Sequence, residues 1–132
     1  MENYEKQVEY WKDAAVRDFE TAQTLYKNKR YDACLFFCHL TIEKCLKGLV
    51  VKETKEPAPY IHDLPQLAEY ADSSLDEETI GHLKTISTFN IGGRYDDYKL
   101  SFYKKCTPAY TKEYLKIAER IYHHLEKKYR EK

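Results

Sequence analysis

Glycine and proline are scarce, with four of each among 132 residues. Most fall at Pro57, Pro59, Pro65, Gly92, Gly93 and Pro108, which leaves long uninterrupted blocks that read as helices. No strand-like alternation lasts beyond a few residues. An excess of charge is also missing: Lys and Arg together number 22, as do Asp and Glu. No global positive field therefore draws the chain onto DNA or an anionic membrane, and any polyanion site must be local. The longest apolar stretch, around Leu35 to Val51, is interrupted by His39, Glu43, Lys44 and Lys47. It falls short of the roughly 20 apolar residues of a membrane span. The opening Met-Glu-Asn-Tyr-Glu-Lys has no apolar signal core, so a cytoplasmic location is expected. Cysteines are few as well, and Cys34, Cys38 and Cys45 share one helical segment, which suits reduced thiols. Cys34 and Cys38 with His39 lack the second close ligand pair of a structural zinc site. Neither a metal nor a cofactor is expected.

What is present is helical periodicity. Val8, Trp11, Ala15, Phe19, Ala22 and Leu25 recur at helical spacing, predicting an amphipathic helix from about Tyr4 to Lys27. A second block, about Asp32 to Lys52, is apolar on most sides near its start and predicts the central, most buried helix. Asp63 with Pro65 opens a short helix to about Ala71, and Ser74, Asp76, Glu77 and Glu78 open another to about Phe89. The stretch Asn90 to Pro108 shows no helical period and reads as an ordered loop. Tyr110, Tyr114, Ile117, Ile121 and Leu125 then mark a long last helix. The expectation is one all-α domain over residues 1–132, an up-and-down antiparallel bundle of four main helices plus one short helix.

Within these helices Trp11, Asp18, Tyr31-Asp32-Ala33, His39-Leu40 and Glu43-Lys44-Cys45-Leu46-Lys47 form a pattern, continued by His62-Asp63-Leu64 and Arg94-Tyr95. It resembles the HEPN domain over nearly the whole chain. The resemblance implies a compact bundle that pairs as a homodimer and is often encoded beside a minimal nucleotidyltransferase in toxin–antitoxin-like modules. Many branches of the family cleave RNA with an Arg followed a few residues later by a His. Arg94 stands in the matching place, but Lys99, Leu100 and Ser101 occupy the positions where that His belongs. A nuclease step is therefore not expected, and if any residue were catalytic it would be Arg94.

The function expected is a nucleotide- or RNA-binding module partnered with a nucleotidyltransferase, without DNA or membrane contact. The alternatives are a metal-independent RNase with a different proton-transfer group, or a purely structural interaction subunit. Arg94 and Tyr95 are candidates to grip a phosphate and stack on a base, although Asp96 or Asp97 can instead pair the guanidinium. Lys44 and Lys47 offer a small positive patch, whereas Glu43 and Lys47 also read as an ordinary surface pair one helical turn apart. His62 is a further phosphate-site candidate, weighed against local hydrogen bonding beside an N-cap. The thirteen tyrosines, Tyr110 and Tyr114 among them, suit either a dimer face or the core.

Overall fold

The computed structural model describes the backbone of residues 2–71, 73–94 and 96–131; the side chains of Glu2, Arg94, Asp96 and Asp97 lie outside the description. Six helices are present among the described residues: α1 (Glu2–Lys27), α2 (Tyr31–Thr54), α3 (Leu64–Tyr70), α4 (Glu77–Arg94), α5 (Asp96–Lys105) and α6 (Pro108–Lys128). The expected all-α bundle is found, with α1, α2, α4 and α6 as its long members.

α2 is the axis. It packs against all five other helices, most extensively α1, to which the short turn after Lys27 joins it as a hairpin. Its buried residues run round the helix, from Cys34, Leu35 and Cys38 to Leu46, Leu49 and Val51, as expected for a helix with no solvent face. α1 contributes Ala15, Phe19 and Ala22 to the core, and α6 contributes Ile117, Ala118, Ile121 and Leu125. Gly48 lets α1 and the end of the chain approach α2 closely. A Cβ there would meet the Tyr129 hydroxyl and the Cβ of Trp11. The Tyr129 hydroxyl donates to the Cys45 carbonyl at 2.6 Å, and Lys52 Nζ donates to the carbonyl of Lys128 at 3.0 Å. Both contacts tie the last turn of α6 to α2.

The helix starts follow from local chemistry. Asp63 Oδ1 accepts from the Gln66 amide at 3.3 Å, with Pro65 in the first turn of α3. Asp76 Oδ1 accepts from Thr79 N at 2.8 Å before α4, and Thr107 Oγ1 accepts from Tyr110 N at 3.1 Å before α6. At the far end of α2, Lys55 takes a left-handed φ of 58° and its N–H returns to the Val51 carbonyl.

The loop expected over Asn90 to Pro108 is not observed. α4 continues through Gly92 to Arg94, and α5 occupies Asp96–Lys105. A glycine in a helix costs about 1 kcal/mol relative to alanine. Here that cost is offset by packing: Gly92 is buried and its missing side chain makes room for the Phe102 ring, which also lies 5.6 Å from the ring of Phe89. The basic last turn of α5, Lys104 and Lys105, further suits a helix dipole. Tyr110 and Tyr114 pack partly inward, with Phe89 5.6 Å from the Tyr114 ring, so these rings serve the core.

Candidate functional site

The carboxyl-terminal half of α2 buries a charged cluster. Glu43 is its hub: Lys47 Nζ lies 2.9 Å from Oε2, and His62 Nδ1 lies 2.8 Å from the same oxygen. His39 Nδ1 faces the other oxygen, Oε1, at 3.5 Å. A carboxylate only accepts, so the Nδ1 of His62 carries the proton it shares with Glu43. His39 Nε2 in turn donates to the backbone carbonyl of His62 at 3.2 Å, and Ser87 Oγ of α4 reaches that same carbonyl at 3.3 Å. The connection before α3 is thereby pinned to α2 and α4 through one residue.

The pair expected on the surface is therefore interior: the side chains of Lys47 and Glu43 are only 8% and 6% exposed. The physical reason is the neighbours, since Trp11 from α1 and the segment around His62 cover a face of α2 that isolated helical spacing would leave wet. Burial pushes the Glu43 carboxyl up, but the hydrogen bond from Lys47, the field of His39 and the hydrogen bond from His62 outweigh it. Glu43 consequently titrates below its ordinary value and stays ionised. His62 is the exposed member, with 52% of its side chain accessible.

Beside this cluster lies an open groove of about 480 Å³. Lys6, Gln7, Tyr10 and Trp11 of α1 form one wall, Pro57 to Tyr60 the other, and Lys47 reaches the floor. Lys47 Nζ sits 5.6 Å from the centre of the Trp11 ring, and Tyr10 meets Trp11 edge-on at 5.1 Å. Trp11 is thus held between a cation and a second ring. Tyr10 remains more than half exposed and Tyr60 fully exposed. Among the described residues no carboxylate lines the groove. An apolar, aromatic wall with a few polar groups is the usual make-up of a small-molecule site, and the volume falls in the usual range of roughly 300–1,000 Å³.

The candidates raised from the sequence are dispersed. Lys47 and His62 meet at Glu43 and border the groove or its anchoring segment. Lys44 points elsewhere, 2.7 Å from Asp18 of α1, so the two lysines serve separate carboxylates and form no joint patch. Arg94 closes α4 at the opposite end of the helix from Glu77. Its side chain and the whole of Tyr95 lie outside the described residues. Tyr10 and Tyr60 were not singled out by sequence reasoning. The only local signal for them is an exposed ring next to Pro57-Ala58-Pro59, and what makes it a site is the approach of α1.

The cysteines lie inside the bundle. Among the described residues no group of His, Cys, Asp and Glu is placed to hold a metal ion. Cys34, Cys38, Cys45 and Cys106 are buried free thiols, and burial pushes Cys45 up to about 12. No described helix is long and apolar enough to cross a membrane.

The bundle and its signature residues define a class. A HEPN-domain family model matches residues 8–128, so the chain belongs to the HEPN family, whose members are nucleotide- and RNA-related modules in general. Among solved structures it is similar to TT1696 from Thermus thermophilus, with a TM-score of 0.78 and 21% identity. That likeness spans 92% of this chain and 98% of the other, and it speaks to the fold. No curated protein matches the sequence.

Proposed function

We propose that this chain is a nucleotide-binding HEPN module that seats a nucleobase in the groove between α1 and residues 57–60. The observation that carries the reading is the exposed pair Tyr10 and Tyr60 flanking a carboxylate-free groove with Lys6 at its edge and Lys47 at its floor. Ring-on-base stacking contributes about 1–3 kcal/mol per base and tolerates any base, because every base has a flat face. The buried Glu43 cluster serves the groove indirectly, by holding Lys47 and the segment that ends at His62.

In this reading the module does no bond-breaking of its own and works as a homodimer beside a minimal nucleotidyltransferase, with Arg94 and Tyr95 as a second contact to ligand or partner. A nucleotide panel scored by thermal shift tests it: stabilisation of wild type that is lost in Tyr10→Ala supports the groove. A panel that stabilises neither form removes it. RNA cleavage that disappears in His62→Ala would replace this reading with the enzymatic one, since a half-exposed imidazole oriented by a buried carboxylate is the arrangement of a general base.

A further inference from the structure

We infer that the groove selects a nucleobase bearing a single phosphate and gains nothing from the further phosphates of a triphosphate; this rests on the nucleotide reading above and narrows it. The argument is one of charge. Two lysines reach the groove, but Lys47 lies 2.9 Å from Glu43 and its charge is already balanced inside the fold. Lys6 is exposed and, among the described residues, has no ion-pair partner.

One uncompensated cation matches one phosphate. A triphosphate brings several further negative charges, and in an open groove with no second free cation among the described residues these stay in solvent and add no contact. The usual devices for a phosphate chain are a glycine-rich loop of backbone N–H groups, an arginine fork or a bound cation. The groove wall opposite α1 is Pro57-Ala58-Pro59-Tyr60, where each proline removes a backbone donor. Besides the Tyr10 and Tyr60 hydroxyls and the Trp11 indole, the groove offers the uncharged amide of Gln7, which suits a base edge. A cationic ligand is disfavoured too, because Lys47 already occupies the face of Trp11 at 5.6 Å.

The same chemistry is offered by a free mononucleotide and by a residue within a single strand. Trp11 is the only tryptophan of the sequence, so its intrinsic fluorescence reports on this groove alone. The full chain is titrated with adenosine, AMP, ATP and the dinucleotide ApA. AMP is expected to bind about fivefold more tightly than adenosine, the size of one solvent-exposed ion pair, and within about threefold of ATP. Lys6→Ala should erase the advantage of AMP over adenosine. Gln7→Lys, which adds a second uncompensated cation to the α1 wall of the groove, should shift preference toward ATP. ApA binding well above AMP assigns the ligand to a strand, and equal binding assigns it to the mononucleotide; either agrees with the inference. ATP binding more than about threefold above AMP, or adenosine equalling AMP, overturns the inference and leaves a nucleotide groove standing. No fluorescence response to any of the four overturns the groove itself.

Discussion

The two halves of α2 meet the interior in opposite ways. The first half buries Cys34, Leu35 and Cys38 against Phe102, Cys106 and their neighbours, a dry packing of thiols, aliphatics and rings. There the hydrogen bond with Cys34 and then burial raise the Cys38 thiol well above its ordinary value, which keeps it neutral and inert. The second half buries Glu43 and Lys47 and keeps charge inside by pairing it, with His39 reaching Glu43 from one turn earlier, at the border of the two halves. A dry half tolerates no new polarity, and an ionic half tolerates no missing partner. The exposed groove stands beside the ionic half, whose Lys47 reaches its floor and whose Glu43 holds His62 of the neighbouring segment.

Removing the hub should break the contrast most severely. Glu43→Ala strands Lys47 beside Trp11, and loss of one member of a buried pair costs about 3–5 kcal/mol. Chemical denaturation should show it; a change below about 1 kcal/mol would mean the pair is solvated in solution. Gly48→Ala attacks the same half through shape, by forcing the Tyr129 hydroxyl from the Cys45 carbonyl. A loss of about 1–3 kcal/mol is expected by the same measurement. In the dry half, Cys38→Ser places a hydroxyl where the thiol is fully buried, costing about 1–2 kcal/mol.

A pH series sharpens the difference. The folded Glu43 titrates below its unfolded value, so its contribution is complete above the ordinary carboxyl range. It is lost as pH falls through the folded value. Urea midpoints should therefore fall on acidification, and less steeply in Glu43→Gln than in wild type. The smallest effect belongs to the partly exposed pair on the outer side of α2: Asp18→Ala releases Lys44, whose side chain is 28% exposed, and should cost no more than about 1 kcal/mol. A loss as large as that of Glu43→Ala would erase the distinction between buried and peripheral pairs.

Helix positions and the central place of α2 were legible along the chain, since apolar spacing is a property of neighbours in sequence. The caps at Asp63, Asp76 and Thr107 were equally local. The stretch from Asn90 to Pro108 misled because two glycines weaken a helix on their own, and the compensating ring of Phe102 comes from α5, after the break. Glu43 and Lys47 misled for the same kind of reason. Their spacing is that of a surface pair, and their burial is imposed by Trp11 and His62 from other elements.

Periodicity, caps and signature residues were thus enough to establish the class of fold and the family resemblance, because each is encoded within a few positions of itself. The groove could be recognised only once α1, α2 and residues 57–60 were placed together. A recess between elements has no signature in any one of them, and the burial of a charge depends on what the rest of the chain lays over it.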